Sequence, residues 1–368
     1  DTVDDVDFVL VSLISYYDVF NLINELHGRE HSSKIIIGGQ GLINVELLRD
    51  IIDVAVVGRG EGLINDILAG DIPDGVWSRD SNYNFEDQIK IQQLKAYIEI
   101  DDPILGRYQE TSIGCTRKCY FCEYSWKNKY CSKTKEYSSG IADRETRIEE
   151  IDWTKYKNKD MVSAVDGQTE QTRKRINKPI TNMTIRNKIA EIYDSGKDYL
   201  SLKLYCLLGY PFESLFEPES LLDAIVSNAG SGPNRLNVVM VSPHFMPMPY
   251  TPMECEPPNA LNFRDIVSSF DFSPWQTDNI KVFWPSATTS APANAFEATV
   301  IHRAGSSRAE DVKKVLCSSK YKSLGSSLKV QTIKKYFGDL VGRVSEVVPY
   351  IERSQDSSKA KERYSNGI

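Results

Sequence analysis

Residues 111–122 read TSIGCTRKCYFC, and this stretch guides the interpretation of the whole chain. A short β-prone run and Gly114 precede three cysteines, Cys115, Cys119 and Cys122, with the spacing CxxxCxxC. This order predicts a strand that ends in a loop carrying three thiolates. Thiolates are soft ligands for iron and zinc, and a four-iron cluster held by protein alone needs four of them. Three cysteines would therefore leave one iron with an open coordination position.

Two other interpretations of these cysteines compete with a cluster. A structural zinc site usually combines two CxxC or CxxH pairs, and the sequence has no second pair. Free cysteines can also simply pack in a core, but three within eight positions favour a ligand set over chance. The remaining cysteines are scattered singly and are predicted to be core residues: Cys131, Cys206, Cys255 and Cys317.

The composition is typical of a large soluble enzyme. The chain has 368 residues, 41% of them hydrophobic, which is enough for two domains with full cores. A net charge of −7 argues against a general nucleic acid binder, although it allows a local basic patch. The N-terminus is acidic, unlike a signal peptide, and no run of 18 apolar residues occurs. Seven cysteines without a regular framework fit a reducing compartment, so we expect a cytoplasmic protein with no membrane partner.

The first 70 residues alternate apolar strands with amphipathic segments. Strands are predicted at 8–12, 34–37 and 54–57, and helices at 18–28, at 44–51 and up to residue 68. Continuous apolar strands that end in glycine turns are typical of a doubly wound parallel sheet with ligand-binding loops at the carboxyl ends of its strands. The glycine spacing does not match GxGxxG well, so it gives little support to a nicotinamide or flavin site, and tight turns alone would explain half of the glycines.

The cysteine stretch resembles the signature of radical S-adenosylmethionine (SAM) enzymes. In that family the three cysteines hold a 4Fe-4S cluster, and the open iron binds the amino and carboxylate groups of SAM. The glycine turns at 38–41 and 58–62 resemble the cobalamin-binding domain that many of these enzymes carry before the catalytic barrel. This second resemblance implies cobalamin contacts at Gly38, Gly39, Gln40, Gly58, Gly60 and Glu61.

The sequence departs from that cobalamin-binding domain in two ways. Only three strands are found, so its first units are absent, truncated or cut from this chain. No Asp-x-His-x-x-Gly motif occurs, so a bound cobalamin would have no histidine on its cobalt. The alternative is a Rossmann-like domain that has lost its cofactor.

Further phrases downstream resemble the same family. A strand at 161–165 leads through a turn at 166–170 into a helix, and the resemblance implies that this strand end faces the methionine part of SAM. Residues 199–213 resemble a strand that ends in Gly-x-Pro-x-Glu, and 238–254 a later strand with a proline-rich exit loop. Residues 296–301 are a weaker echo of the sixth strand. The resemblance extends from about residue 7 to residue 316.

These phrases predict the SAM site. Lys203 and Tyr205 share one face of their strand by its two-residue period and would offer polar groups to the ribose. Asp166 or Thr169 could instead cap the following helix, whose basic residues could also touch nucleic acid. The basic residues are Arg173, Arg175 and Lys178. The full set of predicted SAM contacts is Phe121, Asp166, Gly167, Glu170, Lys203 and Tyr205.

The predicted fold is α/β, a partial parallel (βα)6 radical SAM barrel preceded by a small, incomplete Rossmann-like domain and followed by helices. From Tyr124 to Lys135 the sequence predicts an exposed loop, with a wall that faces the substrate as the alternative. It also predicts helical character in the linker at 86–95 and a frayed tail after Arg353. The predicted domains are 1–70 (Rossmann-like), 71–105 (linker), 106–305 (barrel) and 306–368 (C-terminal helices).

The resemblance implies an anaerobic enzyme that reductively cleaves SAM to a 5′-deoxyadenosyl radical, which abstracts a hydrogen atom from a substrate. An electron donor such as flavodoxin or ferredoxin would be its partner. With cobalamin bound, the expected reaction is methylation of an unactivated carbon, which would make the protein a transferase. Without it, a methylthiotransferase-like or other radical SAM activity is the alternative, and a zinc-bound, non-catalytic interaction protein is the alternative of another class. The sequence identifies neither the substrate nor the catalytic residues that contact it.

Overall fold

The structure is a computed structural model in which part of the chain is described. The described residues are 6–42, 44–80, 90–93, 99–102, 106–109, 112–132, 148–149, 160–194, 199–227, 235–285, 292–344 and 355–365. The chain divides into two units that are discontinuous in sequence. The first comprises 1–134, 246–257 and 296–363, and the second comprises 135–245, 258–295 and 364–368.

The first unit contains a four-stranded sheet. Its strands and helices are β1 (Phe8–Ser12), α1 (Tyr16–Leu26), β2 (Lys34–Gly38), β3 (Val54–Ala55), α2 (Ile64–Leu68) and β4 (Trp77–Ser78). The strand order is β1–β2–β3–β4, with β4 antiparallel and the others parallel. The side chains of β2 from Ile35 to Ile37 are buried, which explains its continuous apolar sequence. The predicted strands are confirmed, as are the first and last predicted helices of this segment.

The helix predicted at 44–51 is wrong, because this segment forms successive turns. The amide of Leu48 donates to the carbonyl of Val45 over 2.9 Å, and that of Ile51 to the carbonyl of Leu48 over 2.8 Å. Leu47 and Leu48 are fully buried, so the apolar spacing reflects packing against the core rather than a helix.

The predicted linker contains ordered pairing with the first sheet. β4 lies within it, and Gln92 forms a parallel bridge with Gly58. Residues 90–93 are not helical, and the rest of the helical segment predicted at 86–95 lies outside the described residues.

The cysteine stretch lies in a small antiparallel hairpin. Two pairs of strands and one helix surround it: β5 (Glu99–Asp102), which lies at the end of the predicted linker, β6 (Gly106–Gln109), β7 (Ser112–Ile113), α3 (Glu123–Lys127) and β8 (Cys131–Ser132). β5 pairs with β6 and β7 with β8, both antiparallel. The exposed loop predicted from Tyr124 to Lys135 is wrong in its first half, because Ser125, Trp126 and Lys127 are buried in α3.

The second unit contains a four-stranded, entirely parallel sheet. Its elements are β9 (Asp160–Ala164), α4 (Glu170–Arg175), α5 (Asn182–Tyr193), β10 (Tyr199–Tyr205), α6 (Glu219–Val226), β11 (Arg235–Val241), α7 (Phe263–Ser269), a short 3₁₀ turn (Ser273–Trp275) and β12 (Ile280–Phe283). The strands lie in sequence order from β9 to β12. The strands predicted at 161–165, 199–205 and from Val238 are confirmed, whereas β12 is an element that the sequence patterns did not indicate.

The two faces of this second sheet differ. Leu202 and Leu204 of β10, with Val238 of β11, belong to a buried core that also contains apolar residues of α5, α6 and α7. The alternate residues point to the opposite side, where side chains are mostly partly or fully exposed. We call this side the open face. Its residues with described side chains are Val162, Ala164, Ser201, Lys203, Tyr205, Arg235, Asn237, Val239, Val241, Lys281 and Phe283, and the register also places Asp160 and Tyr199 on it.

The C-terminal part of the chain is helical. The helices are α8 (Pro292–Arg303), α9 (Ser306–Leu316), α10 (Ser319–Lys322), α11 (Ser326–Val341) and α12 (Gln355–Ser365). The sixth strand predicted at 296–301 is therefore wrong, because these residues lie in α8. Nearly every residue of α8 is buried, so the sequence shows no amphipathic period that would indicate a helix.

The frayed tail predicted after Arg353 is also wrong for residues 355–365, which form α12. The Lys361 ammonium lies 3.3 Å from a carboxylate oxygen of Glu254, so the helix has a specific contact with the proline-rich loop. None of the helices in the described part of the chain is both long and apolar enough to cross a membrane.

Candidate functional site

The loop between β7 and α3 carries the three predicted cluster ligands. Gly114 has a φ of 71°, and a Cβ there would lie 2.8 Å from the carbonyl oxygen of Asn128. Lys118 also adopts a left-handed conformation, with a φ of 54°, although it has a side chain. Gly114 turns the chain just before Cys115, and Lys118 turns it between Cys115 and Cys119.

The second half of the loop is held by α3. Cys122 is the N-cap residue of this helix, and its amide donates to the carbonyl of Cys119 over 3.1 Å. The same carbonyl accepts from the indole nitrogen of Trp126 over 2.8 Å, and the hydroxyl of Ser125 donates to the carbonyl of Cys122 over 2.9 Å. The sequence analysis did not single out Ser125 or Trp126. Their only sequence signal is a position three to seven residues after the cysteines whose backbone they bind.

None of the three cysteines forms a disulfide, and Cys119 is buried whereas Cys115 and Cys122 are partly exposed. Among the described residues, no group of three or more His, Cys, Asp or Glu side chains could hold a metal ion as it stands. A cluster makes a different demand, because each cysteine binds a separate iron atom and the sulfurs need not converge on one ion. Three cysteines on one loop fit the ligand set of a cluster. Their sulfur atoms, as placed in the structure, do not form a site for a single ion.

The other cysteines divide between core and surface. Cys206 and Cys255 are buried, as predicted, and burial raises the pKa of the Cys206 thiol. Cys131 is exposed, so its predicted core position is wrong.

The turn after β9 carries two of the predicted SAM contacts. Asp166 and Gly167 both have positive φ, 44° and 83°. Backbone bonds tie this turn to the end of β10, because the amides of Val165 and Asp166 both donate to the carbonyl of Tyr205, over 2.9 and 3.3 Å. The structure therefore brings the predicted contacts Asp166 and Tyr205 next to each other.

The carboxylate of Asp166 is already paired. It lies 2.6 Å from the ammonium of Lys178, and both side chains are largely buried. Asp166 is therefore not the helix cap. Thr169 has that role, since its hydroxyl accepts from the amide of Thr172 over 3.1 Å. Of the two predicted capping residues, only Thr169 is confirmed.

Arg173 explains much of the turn's conformation. Its guanidinium is fully buried and donates to the carbonyls of Ile180, over 2.6 Å, and Gly167, over 3.1 Å, and to the side chain of Asn182. The two buried cations, Arg173 and Lys178, serve the fold internally. They are not available to a nucleic acid, which removes most of the basic cluster on which that alternative depended.

The remaining predicted SAM contacts occupy different positions. Glu170 is the first residue of α4, is exposed, and accepts a hydrogen bond from the amide of Asn182. Lys203 and Tyr205 both lie on the open face, which confirms their predicted shared face. Phe121 is partly buried in the cysteine loop of the first unit. The residues Asn237, Lys281 and Phe283 share the open face and were not predicted as site residues.

The Gly-x-Pro-x-Glu phrase folds into a turn closed by its own glutamate. One carboxylate oxygen of Glu213 accepts from the amides of Gly209 and Tyr210, over 2.8 and 3.1 Å, and the other from the side chain of Gln168 over 3.4 Å. Burial raises the pKa of Glu213 to about 7, although these hydrogen bonds favour the ionised form. Gln168 also donates to the carbonyl of Leu215 over 2.8 Å, so it links this turn to the one after β9.

A histidine and an asparagine brace the same turn. Gly209 has a φ of 81°, and a Cβ there would lie 2.5 Å from the imidazole of His244. The His244 Nε2 donates to the carbonyl of Asn259 over 2.9 Å. The Asn259 amide in turn donates to the carbonyls of Tyr210 and Glu213 over 2.9 and 2.8 Å. The strand-end turns of β9, β10 and β11 are thus joined by one network of buried polar groups.

The predicted cobalamin turns are packed against the chain itself. A Cβ at Gly39 would lie 2.4 Å from the carbonyl oxygen of Leu13, and one at Gly58 would lie 2.5 Å from that of Gln92. These glycines are therefore required by contacts within the first unit, whatever they bind. The other predicted contacts are Gly38 and Gly60, which have more room, the exposed Gln40, and Glu61, which lies 3.2 Å from the Arg59 guanidinium. The cobalamin contacts remain a prediction that these glycines do not favour.

Comparison with known proteins adds no family assignment, because no protein-family model and no curated protein matches this chain.

Proposed function

We propose that this chain is a radical SAM enzyme, in which Cys115, Cys119 and Cys122 ligate a 4Fe-4S cluster. The observation that carries the proposal is the set of three cysteines, none of them in a disulfide, on one loop with the spacing CxxxCxxC. When bound and reduced, such a cluster supplies the electron that cleaves SAM to a 5′-deoxyadenosyl radical. The electron would come from a flavodoxin or ferredoxin, in a cytoplasmic and anaerobic setting.

The second sheet supports a barrel-like catalytic core. Its parallel strands lie in sequence order, and α5, α6 and α7 all contribute to the core on one face. A doubly wound sheet carries helices on both faces, whereas the strands of a parallel barrel keep their inner face for side chains and ligands. The open face therefore fits the inner face of a partial radical SAM barrel.

The residues would divide the binding of SAM among them. The turn at Asp166 and Gly167 would face the methionine end of SAM. Because Lys178 already neutralises the Asp166 carboxylate, the SAM ammonium would rely more on backbone carbonyls and on Glu170. Lys203 and Tyr205 would offer polar groups to the ribose from the open face.

The test is anaerobic reconstitution with iron and sulfide, followed by dithionite and SAM, with products identified by mass spectrometry. We expect a brown protein that forms 5′-deoxyadenosine, and we expect Cys119→Ala to abolish both the cluster and the product. Cys131→Ala is the matched control, because Cys131 is an exposed cysteine outside the spacing, and it should retain both. Product formation by Cys119→Ala with an intact cluster would contradict the proposal. A colourless protein with stoichiometric zinc would instead support the non-catalytic alternative.

A further inference from the structure

A cavity of about 380 Å³ lies in the first unit, where the turns at 44–51 meet α9. Its volume is within the range of sites that bind small molecules. Three acidic and three basic residues line it: Glu46, Asp50, Glu310, Arg49, Arg79 and Lys313. Arg49, Asp50 and Glu310 are exposed whereas Glu46 is buried, so the cavity opens at the surface and has Glu46 at its inner part.

The carboxylate of Glu46 lacks a partner. Glu46 is only 3% exposed, and neither of its two buried carboxylate oxygens accepts a hydrogen bond from any described residue. Burial raises the pKa of this carboxyl, and the charge of Arg49 opposes that rise although no hydrogen bond joins the two side chains. A buried carboxylate without donors costs free energy, so a ligand that supplies the donors recovers that cost.

The other two acidic residues of the lining are already paired. Both contact the ammonium of Lys313, which forms an ion pair with Asp50 and lies 2.9 Å from a carboxylate oxygen of Glu310. Within the described part of the chain, Glu46 is therefore the acidic residue of this cavity whose charge no ion pair compensates.

The basic residue Arg79 also has a partner of its own. Its guanidinium lies 3.6 Å from a carboxylate oxygen of Asp53 and donates to the carbonyl of Ile52 over 3.0 Å. Its charge is therefore compensated from outside the lining, and it leaves Glu46 without a donor.

Asn44 fixes the backbone of Glu46. The side-chain amide of Asn44 donates to the carbonyls of Ile301 and Ala304, over 2.8 and 2.7 Å, at the end of α8. Its side-chain oxygen accepts from the amide of Glu46 over 2.9 Å. Because Glu46 lines the cavity and its backbone is held, a change of its side-chain rotamer is enough to bring the carboxylate into contact with a ligand there.

The two oxygens without donors define the chemistry of that ligand. A planar guanidinium or amidinium group carries a positive charge and two parallel N–H donors, so it satisfies both oxygens at once. An ammonium group donates from a single nitrogen. A metal ion would need further ligands, and no group of three His, Cys, Asp or Glu side chains among the described residues could hold one.

We propose that this cavity binds a small organic cation, which presents a guanidinium or amidinium group to the carboxylate of Glu46. The cavity lies entirely within the first unit, and the inference does not depend on the proposed function.

Three probes test the inference on the full chain by ligand-observed NMR titration. Benzamidine, benzylamine and benzamide share a benzene ring and differ in their polar group. Benzamidine carries the charged fork of two N–H donors, benzylamine carries its charge on one nitrogen, and benzamide is uncharged. We expect benzamidine to bind more tightly than either of the others. Glu46→Gln should weaken benzamidine binding about tenfold or more, as for loss of a charge-assisted contact, and leave benzamide nearly unchanged.

The control variant is Glu25→Gln, which removes the same charge from an exposed carboxylate of α1 outside the cavity. It should leave all three affinities unchanged. Equal binding of the three probes by the wild-type chain, no binding of benzamidine, or the same loss in Glu46→Gln and Glu25→Gln would overturn the inference. Thermal melts establish that each variant is folded, and the comparison of probes on the wild-type chain decides the question without any variant. The titration uses neither a cluster nor SAM, so its failure and the failure of SAM cleavage are separate results.

Discussion

The buried carboxyl of Glu213 predicts how the stability of the protein changes with pH. Its pKa is about 7 in the folded protein, compared with an ordinary value of 4.5, because burial disfavours the charged form. A carboxyl whose pKa is raised by folding stabilises the folded state fully below its unfolded pKa. That contribution is lost as the pH rises through about 7. At about 1.4 kcal/mol for each unit of pKa difference, the loss between pH 4.5 and pH 8 is about 3 kcal/mol.

The perturbation that isolates this contribution is Glu213→Gln. A glutamine oxygen can still accept from the amides of Gly209 and Tyr210, so the turn is kept, but the side chain no longer titrates. We expect urea unfolding from pH 5 to pH 8 to show that wild-type stability falls relative to the variant, by about 3 kcal/mol at most. Glu219→Gln, which removes an exposed carboxyl of α6, should follow the wild type. Parallel wild-type and Glu213→Gln stabilities across this range would refute the assignment of a raised pKa.

Three further predictions concern glycine, arginine and cobalamin. Gly209→Ala should lower the free energy of unfolding by about 2 kcal/mol or more, because Gly209 has a positive φ and a Cβ there would clash with His244. Gly325 has open space around it and an ordinary φ, so Gly325→Ala should be nearly neutral in thermal melts. Arg173→Met should lower the free energy of unfolding by about 3 kcal/mol or more in urea, because it leaves two buried carbonyls and one partly buried amide oxygen without their donor; a variant as stable as the wild type would contradict this. Reconstitution with hydroxocobalamin should leave no corrinoid on the chain after desalting if the glycine turns serve only internal packing, and retained corrinoid would instead establish a cobalamin site.

The sequence predicted the strands and helices that a local pattern marks, either a regular spacing of apolar residues or turn residues at the ends of the element. The strand β2 is apolar at its centre and β10 alternates along its length, and α9 and α11 lie in the segment 306–368 that was predicted to be helical. The predictions failed for two different reasons. At 44–51 the apolar spacing comes from packing against the core rather than from a helix, and in α8 burial of nearly every residue removes the period.

The candidate site was less predictable because its organisation depends on contacts distant in sequence. Gln168 reaches Glu213 and Leu215, which lie 45 and 47 residues further along the chain. Asn259 braces Tyr210 from 49 residues away. No local pattern encodes such pairs. The spacing Gly-x-Pro-x-Glu was visible because its closing bonds are local, from Glu213 to amides three and four residues before it.

The residues of the recognised motifs fall into two groups. The residues of the first group are already used by contacts within the chain. Gly39, Gly58 and Gly209 are required by close approaches of the chain to itself. The carboxylate of Asp166 and the guanidinium of Arg173 are used by buried internal bonds. A residue in this group maintains the shape of a site, and its presence in a motif says little about a ligand.

The second group consists of thiols and lysines that form neither a disulfide nor an ion pair within the described residues. The three loop thiols form no disulfide, and the two lysines of the open face have no ion pair within the described residues. Because thiols outside a disulfide add no cross-link to the fold, the proposed cluster would give the three cysteines of this loop a physical role. Tests of the proposed function therefore begin at the cysteine loop, and only then turn to the glycine turns.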